Sequence, residues 1–415
     1  MCAMNLVNAA RRGERGSALA FVTVSLFFFI GMAGLAIDLA NLYVARSDTQ
    51  RAADAAALAG ATSFVNSGYT TGGVDTFAVR QIASDAAIAV GNQNLVHGQS
   101  PNIQIGDITF NLGNTANPRI TVAVNPPAVP TMFMRAFGKM SYPVSATATA
   151  EAYNPSGQTG GLTFCASCLK PIAVPNSDPF HGGPFIDPTS GQISDPGNFL
   201  NGGIVGEQLT IHSATATCGV IPCSGPWYPI SLDGNTDLAH WGGNVTSCNA
   251  TLHTCNENIP YFLASTLGTP AQVSSYIDQL IHASADGPLN GQDTALSIGF
   301  TRPFTIFAGG NNPYFAGGGF FPTSIVQSDS IVTMPIYGAV NTGNGTVTII
   351  GFMQLFIESV QPNGSSDDIV GMIVNISGCG TNGGTCGGGG GGGSGNSSSI
   401  SGGGTSAIPV RLIHN

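Results

Sequence analysis

The sequence predicts an α+β protein whose first helix spans a membrane. A helix-plus-antiparallel-sheet domain follows, and then a β-rich, disulfide-containing domain. Three observations predict this. Residues 17–37, SALAFVTVSLFFFIGMAGLAI, carry no charge and run directly into an Ala-rich helical pattern, DLANLYVARSDTQRAADAAALAGA. Beyond Leu95 the apolar spacing changes from the helical period to alternation. Eight of the nine cysteines lie in the later, β-patterned part.

The apolar stretch is 21 residues long, between Gly16 and Asp38. At the helical rise it reaches roughly 30 Å, the thickness of a bilayer core. Arg11, Arg12 and Arg15 precede it. The positive-inside bias therefore puts residues 1–16 in the cytoplasm, residues 17–38 across the membrane and the remainder outside. Arg46 and Arg51 weaken the asymmetry, with Asp38, Asp48 and Asp54 among them. A cleaved signal peptide is the competing reading. It requires a shorter apolar core and a break after it, whereas here the helical pattern continues through Ala52–Ala61.

Residues 39–153 form the first extracytoplasmic domain. The long helix is expected to run over 17–66, and 74–95 is a second helix, with Phe77, Val79, Ile82, Ala83, Ala86, Ala87 and Val90 at helical spacing. Ile103, Ile105, Ile108 and Phe110 suggest a strand interrupted at Gly106-Asp107. Residues 119–125 alternate until Pro126-Pro127, 132–137 read as a short helix, and 142–153 alternate cleanly. The long helix packed on such a sheet is a standard α+β solution.

Asn154-Pro-Ser-Gly-Gln-Thr-Gly-Gly161 reads as a linker. In 162–415, strands are expected at 209–212, 330–336, 346–358 and 369–376, and a helix at 270–283. The FAGG pair at 307–310 and 315–318 is too short to signal repeats. Residues 379–404 form a low-complexity Gly/Ser insertion, expected to be flexible, before a final strand at 407–413.

Only 8% of residues are charged, and from Asn154 onward Lys170, Arg302 and Arg411 face fourteen Asp or Glu. That balance excludes a nucleic-acid partner. Cys2 stands alone on the cytoplasmic side. The other eight fall into neighbouring couples, Cys165/Cys168, Cys218/Cys223, Cys248/Cys255 and Cys379/Cys386. An even set in an exported region reads as disulfides, and proximity suggests local pairing. Cys165-Ala-Ser-Cys168 also has the spacing of half a zinc site, but no second half follows. A redox role needs a helix after the motif, and Lys170-Pro171 opposes one.

Residues 16–61 carry a Gly before the apolar helix, the Gly34–Asp38 end, the Leu42-Tyr43 pair and the Asp54–Ala61 run. This block resembles the N-terminal region of TadG-like Flp (tight adherence) pilus-assembly proteins. Residues 145–153, SATATAEAY, look like the strand that closes this module in the family. A looser likeness extends to Cys168-Leu-Lys-Pro-Ile172 and to the stretch 351–357. The resemblance implies a pilin-like domain in a single-pass protein of the bacterial inner membrane, with its bulk in the periplasm and other pilus-assembly proteins as partners. It departs from pilins in one respect. Their Glu five residues after the cleavage-site Gly falls here on Phe21. The departure implies neither prepilin processing nor a filament role. The DxSxS metal motif of larger members is absent too.

Asp233-Gly-Asn235-Thr-Asp237 alternates like a calcium loop, but Leu238 and Asn244 stand at the sixth and twelfth positions, so an Asx-rich turn competes. No HExxH, GxSxG, P-loop or dinucleotide fingerprint occurs. Trp227, Tyr228 and Trp241 are either core or binding surface. The expectation is a non-enzymatic membrane component of pilus assembly or secretion without a cofactor. An envelope-anchored adhesin is the alternative, and an extracytoplasmic hydrolase is third.

Overall fold

The computed structural model describes residues 3–72, 76–157, 164–197, 202–213, 223–262, 270–283, 292–296, 305–307, 309, 324–325, 328–363, 366–379, 400–402 and 408–413. The second FAGG and part of the first, most of the Gly/Ser segment and the end of the expected linker lie outside them.

Helix α1 (Ala3–Asn66) is unbroken, and α2 (Thr76–Gln93) follows it. Then come β1 (Ile108–Asn111), β2 (Arg119–Val124), β3 (Val129–Pro130), β4 (Ser141–Tyr142) and β5 (Ala146–Ala152). The later part contains β6 (Phe164–Ala166), β7 (Ile172–Pro175), β8 (Gln208–Ser213) and β9 (Cys223–Pro229). Helix α3 (Leu238–Thr246), β10 (His253–Thr254), β11 (Asn258–Pro260) and helix α4 (Pro270–Leu280) come next. Strands β12 (Thr294–Leu296), β13 (Thr305–Phe307) and β14 (Ser324–Ile325) form a small sheet of their own. The last strands are β15 (Ile331–Asn341), β16 (Thr346–Asn363), β17 (Ser366–Gly378), β18 (Ile400–Gly402) and β19 (Val410–Ile413). Packing divides the chain into two compact units. One comprises Met1–Ala56, Ile88–Ile108 and Val122–Ala148, and the other Ala57–Ala87, Thr109–Thr121 and Thr149–Asn415.

In the first unit, α1 buries Ala45, Thr49, Ala52, Ala53 and Ala56, one face at helical spacing. Asn92 clamps the chain as it leaves α2. Its Oδ1 accepts from the Ile103 amide at 2.7 Å, and its Nδ2 donates to the Ile103 carbonyl at 3.1 Å. The expected strand from Ile103 is accordingly held by a side chain and a 3₁₀ turn at Ile105–Asp107 before β1 begins. The expected helix at 132–137 is a single 3₁₀ turn, Met134–Phe137.

In the second unit, Ala57, Ala61, Phe64 and Val65 continue the buried face. A Cβ on Gly60 would meet the Ala83 carbonyl oxygen at 3.1 Å and the Ile120 side chain at 2.4 Å. Small residues let α1 approach its neighbours closely here. The sheet order β1-β2-β5-β19 completes this region, with β19 antiparallel to β5. The final strand therefore returns to the sheet that β5 belongs to. Asn154, first residue of the expected linker, is buried, and its amide donates to the carbonyls of Thr70 (3.1 Å) and Ile376 (3.0 Å).

The β-rich part closes on itself. β15 is antiparallel to β16, β16 to β17, and β17 to β8. β8 runs parallel to β9, β9 antiparallel to β7, and β7 parallel to β15. These six pairings form a closed ring, which leaves no exposed edge among the six strands. β11 adds beside the start of β16. The first seven residues of β15 are all buried, as a strand covered on both faces must be. One cluster joins the barrel residues Ile336, Met353, Leu355 and Ile373 to Trp241 and Val245 of α3 and to Val273 and Ile277 of α4.

Candidate functional site

Among the described residues, one helix, Ala18–Asn66 of α1, is long and apolar enough to cross a membrane. Its first half is bare. Leu19, Phe21, Val24, Phe27, Phe29, Met32, Leu35 and Ile37 are exposed, and so are Leu39, Tyr43 and Val44 beyond Asp38. Asp38 itself is buried although it ends an apolar stretch. Its carboxylate accepts three backbone N–H groups, from Met132 (2.8 Å), Phe133 (2.8 Å) and Met134 (2.6 Å). These are orphan donors at the start of the 3₁₀ turn, so Asp38 caps that turn from another element. One helical turn earlier, a Cβ on Gly34 would lie 2.6 Å from the Phe133 ring. Gly34 and Asp38 thus form one docking point for the loop between β3 and β4. That loop exposes Met132, Phe137 and Met140, and its sequence adds Arg135 and Lys139.

Two disulfides among the described residues join cysteines other than the expected neighbours. Cys168 bonds Cys248, 80 residues on, and Cys255 bonds Cys379, 124 residues on. Proximity in sequence misled because the fold brings Cys168 and Cys255 partners from 80 and 124 residues away. With Cys168 committed to Cys248, the Cys165/Cys168 motif is not a redox couple. Cys218 and Cys386 lie outside the described residues, and Cys165 and Cys223 are strand residues of β6 and β9. The stretch 168–172 fastens the end of α3. The Cys168 amide donates to the Asn249 carbonyl (2.8 Å), and Lys170 Nζ donates to the Val245 and Ser247 carbonyls (2.6 and 3.3 Å). Burial lowers the Lys170 amine to about 8, against a raising effect of Asp329.

The stretch Asp233–Asp237 is used by the fold. Asp233 Oδ1 accepts from the Asn235 amide (2.9 Å) and Oδ2 from Asn244 Nδ2 (3.2 Å), while Asp237 is the N-cap of α3 and accepts from the His240 amide (3.0 Å). Backbone hydrogen bonds lower both carboxyls. Trp227 and Trp241 are buried and stacked, their indoles donating to the carbonyls of Asp367 (3.1 Å) and Pro171 (2.9 Å).

Sequence reasoning missed a cluster formed by Asp178, His181, Asp195 and Glu207. Glu207 is fully buried, and burial, then Asp178 and Asp195, pushes its carboxyl up to about 8. Asp178 and His181 have an i, i+3 spacing that could have flagged them, but Asp195 and Glu207 are brought in only by the fold.

An α+β chain whose described residues include one helix apolar enough for a membrane, together with a disulfide-stapled barrel, is the class defined so far. Residues 16–63 match the family model of TadE/G-like Flp pilus-assembly proteins, called Tad. The match ends near the C-terminus of α1 and includes Gly34, Asp38 and the Ala-rich face. No curated protein and no solved structure matches the chain.

Proposed function

We propose that this chain is a non-enzymatic, single-pass component of a Flp-type pilus-assembly or secretion machine. In this reading α1 anchors it in the bacterial inner membrane, residues 1–16 face the cytoplasm, and the pilin-like region and barrel project into the periplasm. The carrying observation is that the family match covers the same residues as the bare apolar face of α1. The docked β3–β4 loop supports an anchor with a broad foot. Its Met132, Phe137 and Met140 suit the apolar side of a lipid headgroup layer, and Arg135 and Lys139 suit the phosphates. The partners are other pilus-assembly proteins, met through the periplasmic surface, and the chain takes no nucleic acid.

The experiment is detergent extraction and affinity capture of the full chain from cells that express a Flp pilus system. Co-purification of pilus-assembly proteins is expected. Recovery of the chain without them would overturn the reading. A reporter fused after Asn415 is expected to be active only outside the cytoplasm. The disulfide-stapled barrel favours one second reading, an envelope-anchored adhesin, which protease shaving of intact cells would reveal.

A further inference from the structure

Asp178, His181, Asp195 and Glu207 come from the β7–β8 connection, with Glu207 one residue before β8. The ligand atoms of Asp178, His181 and Asp195 all lie within 4.8 Å of one another. Glu207 reaches one member of this group, its Oε1 being 3.1 Å from His181 Nδ1. That nitrogen also lies 2.8 Å from Asp178 Oδ2. A ring nitrogen carries at most one hydrogen, and Asp178 takes it. Neither oxygen of Glu207 then receives a hydrogen bond, although the residue is 0% exposed. Among the described residues, no Lys or Arg pairs with any of the three carboxylates. A fully buried carboxylate without a partner, beside two more carboxylates, is the arrangement that a cation resolves.

The backbone holds the groups in place independently of any ion. Asp178 Oδ1 accepts from the amides of Phe180 (2.8 Å) and His181 (3.1 Å), leaving Oδ2 for the cluster. The Ile204 amide donates to the Asp195 carbonyl at 3.0 Å. The Glu207 carbonyl accepts from Ile373 of β17 at 2.9 Å, which ties the cluster to the barrel wall.

We propose that Asp178, His181, Asp195 and Glu207 bind a divalent metal ion of the first transition row, zinc by preference. His181 would give Nδ1 with its hydrogen moved to Nε2, and each carboxylate one oxygen. Tetrahedral zinc bonds of about 2.0–2.2 Å place neighbouring ligand atoms about 3.3–3.6 Å apart, so Asp178 and Glu207 would each draw back slightly from Nδ1 as the ion enters. The central imidazole selects zinc over calcium, which takes six to eight oxygens. The ion would staple the β7–β8 connection to the barrel. This inference stands apart from the anchor reading.

The test uses the full-length chain in detergent, stripped with a chelator and titrated with zinc chloride by calorimetry. Asp195→Asn and Glu207→Gln are titrated beside it. One zinc per cluster is expected, and each substitution should weaken it about tenfold or more. At a hundredfold excess over Kd, zinc should raise Tm by about 5 °C. Without metal, Glu207→Gln should melt at or above the wild-type temperature, since it keeps the side chain's shape and cannot ionise inside the core. X-ray absorption on the zinc-loaded wild type should show nitrogen and oxygen neighbours only. The absence of saturable zinc binding would overturn the site. So would tighter calcium binding, sulfur in the absorption spectrum, or a Glu207→Gln variant that binds zinc as the wild type does.

Discussion

Arg411 of β19 stands directly across from Glu151 of β5, with its Nη2 and Nε 2.6 and 2.7 Å from Glu151 Oε1. The two residues are 260 apart in sequence. Arg119 of β2 takes the other oxygen at 3.0 Å. Glu151 is buried, and both arginines are partly exposed. Losing one arginine leaves the carboxylate one partner, and losing both leaves it buried and unpaired. Arg411→Ala should therefore cost about 1 kcal/mol, and Arg119→Ala/Arg411→Ala more than the sum of the two singles. Chemical denaturation of the four variants measures the coupling. Strict additivity would contradict the shared-carboxylate account.

The docking point on α1 predicts a graded steric series. Gly34→Ala pushes Phe133, and Gly34→Leu should displace the β3–β4 loop altogether, costing about 1–3 kcal/mol by overpacking. Phe133→Ala in the same chain should relieve much of the penalty. Asp38→Ala removes the acceptor for three amides and should make residues 131–140 sensitive to limited proteolysis, with Asp38→Asn intermediate. An unchanged cleavage pattern in Asp38→Ala would mean that the loop is held by something else.

The two disulfides among the described residues close long loops, so they should stabilise more than the local pairing the spacing suggested. The 80-residue closure by Cys168–Cys248 corresponds to about 4 kcal/mol in the chain-entropy picture. Cys168→Ser/Cys248→Ser should lower stability by a comparable amount, and peptide mapping without reduction should recover 168 linked to 248 and 255 linked to 379. Peptides linking 248 to 255 would refute this connectivity.

Much of the architecture was legible in the sequence where one period dominates. From residue 17 onward α1, and with it α2, β2, β5 and the barrel strands β8, β15, β16 and β17, fall where helical spacing or alternation placed them, while α1 starts earlier, at Ala3. What escaped was the long-range pairing. Nothing local in Val-Arg-Leu-Ile says that β19 joins β5, or that β17 pairs with both β8 and β16 to close a ring. The turn-like composition of Asn154-Pro-Ser disguised a buried amide that bonds two distant carbonyls. The Asp178 cluster was illegible for the same reason, because its members meet only after the connection before β8 folds back.

Asn375 is a second buried amide of this kind and has a larger expected effect. Its Oδ1 accepts from the hydroxyls of Thr70 (3.0 Å) and Thr71, and its Nδ2 donates to the Val65 carbonyl. Asn375→Leu would leave these groups buried without partners, each at about 1–3 kcal/mol. A loss of roughly 3 kcal/mol or more is expected, and Asn375→Asp should also fail because it can no longer donate to Val65. Tolerance of either substitution in a thermal melt would show that the amide is dispensable.

Asp367 gives the pH dependence. Burial raises its carboxyl to about 6, against a lowering hydrogen bond from Ser274, with Asp368 and Asp278 adding to the rise. Its ordinary value is 3.8, so between about 4 and 6 the folded state holds a proton that the unfolded chain has released. The contribution is complete below the unfolded value and is lost as pH climbs through 6. Asp187 and Glu257, whose carboxyls are lowered, act in the opposite sense and favour the fold above their unfolded values. Only a difference measurement isolates Asp367. Asp367→Asn keeps an oxygen for the Ser274 hydroxyl and has no charge to bury. Its Tm relative to wild type should therefore improve steadily from pH 4 to pH 7 and then level off. A pH-independent difference would mean that the Asp367 carboxyl titrates alike in the folded and unfolded chains.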